Sequence, residues 1–248
     1  MRPHHPLKTC EEVASNIPGA TVFSILDAKS AFWHIKLDEK SSFYTTFATV
    51  FGRYRYLRMP YGITSGSEVY QQVIEQLLEG LPCKVIVDDI LVYGKDTPDH
   101  DRNLVKVLDK IREINLSLNA NKCKFRLSEV KYVGNIFTQK GLLPDPEKVK
   151  AIENMPVPDN LTALQRLLGM TNYLSRFIPE YTEITAPLCT LLRKDVAFVW
   201  ESAQQKAFEK LKNTLSNPPV LTYYDVTKPV KVFCDAVSYT HLTLPTKA

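Results

Sequence analysis

Three aspartates in or beside apolar runs are the first candidates for chemistry. Asp88 and Asp89 are adjacent within VIVDDILVYG, residues 85–94, and Asp27 follows the apolar run TVFSIL. Removing carboxylates from water costs free energy, and neighbouring carboxylates repel one another. Mg²⁺, for which Mn²⁺ could substitute, offsets both penalties because it takes oxygen ligands. Two such ions about 3.5–4 Å apart can activate a hydroxyl and stabilise a leaving pyrophosphate, so the three aspartates are candidate metal ligands.

The elements that must position these aspartates follow from residue patterning. TVFSIL, residues 21–26, predicts a buried strand that ends at Asp27. The β-branched residues on both sides of Asp88 and Asp89 predict two short strands with the aspartates at the turn between them. If these strands are neighbours in one sheet, Asp27 and Asp88 converge although 61 residues separate them in sequence.

Two elements are predicted between Asp27 and this turn. Residues 43–60 alternate apolar and polar side chains and predict a β-hairpin that turns near Phe51 and Gly52. Ser65 and Glu68 have the spacing of a capping box and predict the start of a helix that ends near residues 80–82. Its apolar face is predicted to comprise Val69, Val73, Leu77 and Leu81.

Further elements are predicted after the aspartate pair. Thr97 and Pro98 predict the N-cap and first residue of another helix, and KCKFRLSEVKYVGNIF, residues 122–137, predicts a second hairpin. Closely spaced prolines after Gly141 indicate a domain boundary, and helical spacing resumes at 161–178 and 201–215. A last strand, PVKVFCDA, contains Asp235.

Composition limits the class of protein. The 248 residues are 44% hydrophobic and 23% charged, which is enough apolar content for a buried core. Five well-separated cysteines indicate reduced thiols in the cytosol or nucleus, and no run is long enough for a membrane span. Residues 101–150 contain 11 basic and 6 acidic side chains. That excess favours contact with a polyanion such as nucleic acid, although an ordinary solvated charged face has the same composition.

Four segments carry a resemblance to a known family: FSILDAKSAFWHIKLD, MPYGITSGSEVYQQ, VIVDDILV, and LSLNANKCKF with the later VKYVGNIF. In this order and spacing they resemble the palm motifs of reverse transcriptases from gypsy-like LTR retrotransposons. Residues 156–188 resemble the connection of those polyproteins, and residues 198–236 resemble the start of their RNase H-like domain. The implied fold is an α+β right-hand polymerase palm, in which helices pack on one face of an antiparallel sheet, followed by a mostly helical connection.

The resemblance also implies a division of the chain. Residues 1–140 would form the palm with part of the fingers, residues 141–195 the thumb or connection region, and residues 196–236 a truncated RNase H-like start. Asp235 would be the first metal ligand of an incomplete RNase H site. Residues 237–248 have no counterpart in the family and resemble a translated sequencing adaptor. By the same resemblance, the upstream fingers strands of relatives would be absent from this chain.

Roles are implied for single residues where the motifs match. Asp27 and Asp88 would be the principal catalytic metal ligands, with Asp89 as the third member of the triad. Phe32 matches the aromatic beneath the incoming sugar, which excludes a 2′-hydroxyl and selects deoxynucleotides; a plain core phenylalanine is the alternative. Lys122 matches a general acid toward pyrophosphate, although Lys124, expected on the same strand face, is not separable from it.

Other matching positions would bind substrate or nucleic acid. Tyr61 and Gly62 match the turn against the nascent base pair, and Gly62 is equally an ordinary turn glycine. Tyr132 and Gly134 match the primer-grip hairpin, with hairpin core as the alternative. The basic hairpin positions that would contact primer and template are Arg53, Arg55 and Arg58.

The implied function is RNA-directed DNA polymerisation with Mg²⁺. Its partners would be an RNA or DNA template with a DNA primer, deoxynucleoside triphosphates, and the RNase H, integrase and protease parts of a Pol polyprotein. Its compartment would be a cytoplasmic retrotransposon particle or the nucleus, without a membrane. One alternative is a non-catalytic relic that at most binds nucleic acid. A metal-dependent phosphohydrolase also needs clustered aspartates, but it leaves the other motifs unexplained.

Overall fold

The computed structural model describes residues 5–216 and 218–223, which combine helices with antiparallel sheets. The strands are β1 (Val22–Asp27), β2 (Phe47–Thr49), β3 (Gly52–Tyr54), β4 (Cys83–Ile86), β5 (Asp89–Gly94), β6 (Lys124–Leu127), β7 (Glu129–Tyr132), β8 (Asn135–Thr138) and β9 (Gly141–Pro144). The helices are α1 (Cys10–Ser15), α2 (Glu39–Phe43), α3 (Gly66–Leu77), α4 (Thr97–Glu113), α5 (Pro146–Glu153), α6 (Leu161–Tyr173), α7 (Tyr181–Thr190) and α8 (Ser202–Ser216). Short 3-10 helices span Ala31–His34 and Ser175–Phe177. The predicted strand with Asp235 and the 237–248 tail lie outside the described residues.

A four-stranded antiparallel sheet in the order β4-β5-β1-β6 positions the aspartates. β1 pairs with β5 so that Asp27 lies opposite Asp89, and β4 pairs with β5 so that Ile86 lies opposite Asp89. The predicted strand that ends at Asp27 and the predicted pair of short strands around Asp88 are therefore confirmed. Their neighbouring positions place all three aspartates at one edge of the sheet.

Both faces of this sheet are buried, which differs from the predicted sheet with helices on one face. Leu26 and Ile90 pack with α3 and α4 on one side. Phe23 and Leu91, which alternate with them along the strands, pack on the other side against α1, the β7–β9 segment and the later helices. Apolar side chains on both faces explain why these strands are continuous apolar runs rather than alternating ones.

The segment from 122 to 137 is not one hairpin, so that prediction was wrong. β6 instead joins the palm sheet beside β1, with a register shift that leaves Arg126 at φ 52°. The hairpin is formed by β7 and β8 around the Val133-Gly134 turn, and β9 adds a third strand. This three-stranded sheet spans both sides of the predicted boundary between residues 140 and 141.

Three details of the helices also differ from prediction. Ser65 is the N-cap of α3, but its side chain makes no capping hydrogen bond, so the capping box does not form. The buried residues of α3 are Gly66, Tyr70, Gln71 and Ile74 rather than the predicted apolar face of Val69, Val73, Leu77 and Leu81. The N-cap of α4 is Asp96, one residue before the predicted Thr97, because its side chain accepts a hydrogen bond from the Asp99 amide.

The predicted hairpin over residues 43–60 is shorter than expected. Phe43 is the last residue of α2, and only β2 and β3 pair across the turn before Gly52. Several aromatic side chains here are exposed, including Tyr44 at 82% and Phe51 at 87%. Short strands without a buried face explain why the apolar alternation overestimated the length of the hairpin.

A buried polar network joins α4 to the palm sheet. His100 is fully buried, and its Nε2 lies 2.8 Å from Ser24 Oγ while its Nδ1 lies 3.2 Å from Asp101 Oδ1. Arg126 binds Asp101 at 2.7 Å and donates its backbone N–H to Ser24 Oγ at 3.1 Å. Since each buried polar atom here has a partner, the network fixes the first turn of α4 against β1 and β6.

Asp145 joins the three-stranded sheet to α5, and its loss should destabilise the fold. Its carboxylate accepts from Lys131 Nζ at 2.8 Å and caps α5 through the Glu147 amide at 3.1 Å. Burial by itself raises the pKa of Asp145, but these hydrogen bonds outweigh it and lower the pKa. We expect Asp145→Ala to cost about 2–4 kcal/mol at pH 7 in urea unfolding, and Asp145→Asn, which can still cap, to cost less.

The sign of the pH dependence is fixed by the lowered pKa of Asp145. The stabilisation is fully present above the unfolded-state pKa of about 3.9 and is lost as the pH falls through the lower folded-state pKa. The difference between wild type and Asp145→Asn should therefore shrink when unfolding is measured at progressively lower pH below 4. A difference that is constant across that range would contradict the ion pair.

Candidate active site

The catalytic candidates lie where β1 ends and the β4–β5 turn begins. Asp27 and Asp89 are directly opposed in the sheet, and Asp88 occupies the turn between β4 and β5. The Ala28 amide donates to the Asp88 carbonyl at 2.8 Å, and the Asn119 amide donates to the Asp27 carbonyl at 2.9 Å. These backbone bonds bring the three predicted aspartates together and tie them to the segment before β6.

The turn that carries Asp88 is strained. Val87 has φ 50°, in the left-handed region that β-branched residues rarely occupy. Such a conformation costs about 1–3 kcal/mol and persists only when surrounding contacts impose it. The β4–β5 connection is therefore held in one conformation by its neighbours rather than by the preference of its own residues.

The surroundings of Asp88 and Asp89 disfavour the charged form of their carboxylates when no cation is bound. Burial raises the pKa of Asp88, and the charge of Asp27 raises it further, while Lys122 opposes both. The pKa of Asp89 is raised by burial, then by Asp27 and Asp88. Asp88 Oδ1 is buried and has no hydrogen-bond partner. A buried carboxylate oxygen without a partner, among two further carboxylates, has the donor chemistry that a hard divalent cation requires.

Lys122 supplies a positive charge at this edge. Its Nζ lies 3.2 Å from Asp27 Oδ2, and its side chain is 66% exposed. Lys122 lies in the turn before β6, whereas Lys124 begins β6 and pairs with Ile25. The prediction that both lysines share one strand face was therefore wrong, and Lys122 is the one that contacts Asp27. Among the described residues no three acidic, histidine or cysteine side chains already form a group that could hold a metal ion.

An aromatic cluster lies beside the aspartates. The Phe32 ring centroid is 5.2 Å from that of Tyr61 and 5.7 Å from that of Tyr70. Tyr61 is 57% exposed, while Tyr70 is 2% exposed and its hydroxyl has no partner. Gly62 follows with φ 91° and open space around its Cα, so its turn conformation favours glycine. Tyr70 was not singled out by sequence, although its place in the apolar pattern of α3 could have indicated burial.

The Val133-Gly134 turn is supported from behind by several elements. Tyr132 is 1% exposed and its hydroxyl donates to backbone carbonyls of Lys84 and Asp89, so its ring packs in the core and cannot contact nucleic acid. The alternative of hairpin core therefore applies to this side chain. At Gly134, with φ 72°, a Cβ would lie 2.5 Å from the Tyr173 hydroxyl.

Three side chains that the sequence did not indicate hold this turn. The Val133 carbonyl accepts from Asn135 Nδ2 at 3.1 Å and from the Tyr173 hydroxyl at 3.4 Å. Arg176 donates to Asn135 Oδ1 at 3.1 Å and pairs with Glu11 of α1. The Asn135 contact is local, but no local pattern could have revealed the contacts of Tyr173 and Arg176, since their partners are about 40 or more residues away.

The three hairpin arginines have different surroundings. Arg58 donates to the carbonyls of Trp33 and His34, and Arg53 lies on exposed β3. Arg55 lies over the Phe43 ring at 4.1 Å and 3.8 Å from Glu39. Arg58 and Arg55 thus make contacts within the protein, whereas Arg53 lies on the surface. Asp235 lies outside the described residues.

Family models match most of the chain. One described as reverse transcriptase (RNA-dependent DNA polymerase) matches residues 1–137, and one described as an RNase H-like domain found in reverse transcriptase matches residues 200–242. The members of the first family use divalent metal ions. No helix among the described residues is both long and apolar enough to cross a membrane.

Curated relatives are transposon polyproteins. The transposon Tf2-3 polyprotein of Schizosaccharomyces pombe (strain 972 / ATCC 24843) is 35% identical over 235 residues, which is 94% of this chain. The Tf2-7 polyprotein of the same organism is 34% identical over the same length. In both cases the chain spans 18% of the polyprotein, so it corresponds to one part of these relatives.

Solved structures show the same fold. The foamy viral protease-reverse transcriptase in complex with an RNA/DNA hybrid matches with a TM-score of 0.79 and 24% identity, over 89% of this chain and 31% of that chain. The same protein in complex with dsDNA matches with a TM-score of 0.80 and 24% identity, over 92% of this chain and 49% of that chain. The predicted α+β reverse transcriptase fold and the resemblance to retrotransposon enzymes are confirmed. Because the first family model covers more than half of the 248 residues, the chain belongs to the reverse transcriptase (RNA-dependent DNA polymerase) family.

Proposed function

We propose that this chain transfers deoxynucleotides onto the 3′-hydroxyl of a DNA primer, copying an RNA or DNA template. The observation that carries the proposal is the meeting of Asp27, Asp88 and Asp89 at one sheet edge, with the buried Asp88 Oδ1 left without a partner. Asp27 and Asp88 would be the principal ligands of two Mg²⁺ ions, for which Mn²⁺ could substitute, and Asp89 would be the third. When bound, the ions would lower the pKa of the primer hydroxyl and neutralise the leaving pyrophosphate.

The chain's own groups have distinct tasks in this proposal. The backbone bonds from Ala28 and Asn119 hold the aspartates at fixed positions, so little reorganisation is needed when substrate arrives. Lys122, which is exposed and contacts Asp27, would donate a proton to the departing pyrophosphate once Asp27 takes another partner. Tyr61 and Gly62 would lie against the nascent base pair. The substrate would be a deoxynucleoside triphosphate.

Primer and template would be held around this centre. Exposed Arg53 is suited to phosphate contact, and Arg55 and Arg58 would contribute where their internal contacts allow. At the hairpin turn, Gly134 and the exposed Val133 could approach the primer end through their backbone. The foamy viral neighbours, solved with an RNA/DNA hybrid and with dsDNA, support this class of partner.

The polyprotein context is also proposed. Residues 1–140 would act as palm with part of the fingers, 141–195 as thumb or connection, and 196–236 as the start of an RNase H-like domain, in which Asp235 would be the first ligand. Residues 237–248 were expected to lie outside the functional unit, but the RNase H-like family model extends to residue 242, so we propose that only residues 243–248 lie outside it. The RNase H, integrase and protease parts of a Pol polyprotein would be partners, in a cytoplasmic particle or in the nucleus.

Replacing Phe32 tests the proposed selection of deoxynucleotides. Phe32→Val removes the ring that packs on Tyr61 and should lower the preference for deoxynucleotides over ribonucleotides by about 10- to 100-fold, because a smaller side chain admits the 2′-hydroxyl. The measurement is single-nucleotide incorporation of both substrates. Trp33→Leu is the matched control, since the Trp33 ring contacts Tyr56 instead. If Phe32→Val preferred deoxynucleotides over ribonucleotides as strongly as wild type does, the Phe32 ring would have only a packing role.

Primer extension tests the proposed function itself. The chain is incubated with a DNA primer on an RNA template, deoxynucleotides and Mg²⁺, and each component is omitted in turn. We expect products that lengthen by templated nucleotides and disappear when a chelator is added. Binding of primer–template without extension would contradict the catalytic proposal for this chain and favour a relic that only binds nucleic acid. Release of phosphate without templated extension would favour a phosphohydrolase.

A further inference from the structure

The side chain of Gln71 forms hydrogen bonds with the backbone of two residues just before Asp88. Its side-chain amide donates to the Val85 carbonyl at 2.8 Å, and its side-chain carbonyl accepts from the Val87 amide at 2.7 Å. Gln71 is fully buried within α3. The side chain of Gln71 thus binds both Val87, which immediately precedes the aspartate pair, and Val85 in β4, the strand that leads into the turn.

This contact lies where the backbone needs support. Val87 is the residue with φ 50°, and its N–H is not used by the ladder between β4 and β5, which ends at Ile86 opposite Asp89. An unpaired amide in a partly buried turn costs free energy comparable to a lost hydrogen bond. Gln71 satisfies that amide, so its hydrogen bond stabilises the turn in which Val87 has the left-handed conformation.

Gln71 is itself held by an ion-paired glutamate. Its amide also donates to Glu75 Oε1 at 2.8 Å, one helical turn further along α3. Lys8 Nζ lies 2.7 Å from the same oxygen, and His5 Nε2 lies 2.9 Å from Glu75 Oε2. Burial by itself raises the pKa of Glu75, but the hydrogen bonds from Lys8, Gln71 and His5 outweigh it and lower the pKa. Glu75 is therefore charged near neutral pH and orients the amide of Gln71.

We propose that Gln71 is a positioning residue for Asp88 and Asp89, and that Glu75 with Lys8 couples the N-terminal segment to the catalytic turn. The role of the aspartates in this proposal rests on the proposed function. Gln71 touches neither substrate nor metal and acts through the backbone of Val87. Because Lys8 contacts Glu75, the conformation of the turn at Val87 depends on the position of the segment before α1.

The test compares Gln71→Met, which keeps the size of the side chain but removes its hydrogen bonds, with Gln72→Met on the exposed side of the same helix. Hydrogen exchange of the Val87 amide, followed by NMR, reports the hydrogen bond without any need for activity. The affinity for Mn²⁺, followed by EPR of the free ion, reports the geometry of the aspartates. Thermal unfolding of both variants shows whether each is folded.

In Gln71→Met we expect Val87 exchange to rise by at least about tenfold and Mn²⁺ affinity to fall by about 10- to 100-fold, as for other residues that orient ligands indirectly. Gln72→Met should leave both values unchanged. If the Val87 amide of Gln71→Met exchanged at the wild-type rate, the proposed contact would be overturned. If it exchanged faster but the affinity for Mn²⁺ were unchanged, the positioning role would be overturned. If the wild-type chain bound no Mn²⁺, the proposed function would fail, and the exchange rates would still decide whether Gln71 holds the turn.

Glu75→Gln separates the two parts of the proposal and serves if Gln71→Met does not fold. It retains an acceptor for the Gln71 amide but loses the charge that Lys8 and His5 contact. We expect a smaller rise in Val87 exchange than in Gln71→Met, and the same rise in Lys8→Met. Wild-type exchange in both Glu75→Gln and Lys8→Met would overturn the coupling to the N-terminal segment.

Discussion

Asp88→Asn should reduce primer extension by at least about 1000-fold while leaving the fold intact. The asparagine keeps the shape of the side chain but loses the charge that a divalent cation requires. Because metal ions supply several kcal/mol of transition-state stabilisation, and each 1.36 kcal/mol is tenfold in rate, a loss of this size is expected. The measurement is the rate of single-nucleotide incorporation with saturating Mg²⁺.

The same substitution should not lower stability when metal is absent. In wild type the pKa of Asp88 is raised by burial and by Asp27, which means that its charge is unfavourable in the folded protein. Removing that charge should leave the melting temperature in a chelator unchanged or higher. Asp109→Asn, on an exposed part of α4, is the control and should retain activity. Retained extension in Asp88→Asn would exclude this aspartate as a metal ligand.

Gly94→Ala should strongly destabilise the fold. A Cβ at this position would lie 2.4 Å from the backbone nitrogen of His100 and 2.5 Å from its Cα. Backbone cannot rotate away as a flexible side chain can, so the end of β5 and the first turn of α4 must separate. That movement would also disturb the hydrogen bond between His100 and Ser24. We expect a loss of about 3 kcal/mol, or about 6–12 °C in melting temperature.

Gly169→Ala is the matched control for this prediction. Gly169 lies within α6, and a Cβ there would meet nothing within 4 Å. Alanine has the higher helix propensity, so this variant should gain about 0.5–1 kcal/mol. Melting curves of the two variants beside wild type make the comparison. Equal melting temperatures for Gly94→Ala and wild type would show that β5 and α4 are not in close contact.

The parts of the fold that depend on local pattern were predictable from sequence. The strand before Asp27 and the paired strands around Asp88 follow from apolar runs that end in charged residues, and both are confirmed. The resemblance to reverse transcriptases is confirmed by the family match. The placement of the three aspartates at one edge follows from these two facts together.

The errors arose where partners distant in sequence determine the structure. The pattern of residues 124–127 predicts one strand of a hairpin. These residues instead pair with the edge of β1, because that pairing continues the palm sheet. The face of α3 was misjudged by one position, since Tyr70 and Ile74 are buried rather than Val69 and Val73. The burial of the polar Gln71 could not be predicted, because its partners at Val85 and Val87 cannot be seen in the pattern of α3. Tyr132 was assigned to nucleic acid although tertiary packing buries it.

The roles of single residues stay predictions, and the central one is that the aspartates hold divalent cations for nucleotidyl transfer. The most direct measurement is anomalous X-ray scattering from Mn²⁺ in crystals of the chain with primer–template and a non-reactive deoxynucleotide. We predict two peaks about 3.5–4 Å apart, within bonding distance of Asp27 and Asp88, that are lost in Asp88→Asn. Ordered Mn²⁺ elsewhere in the crystal, with none at these carboxylates while primer–template and nucleotide are bound, would contradict the account.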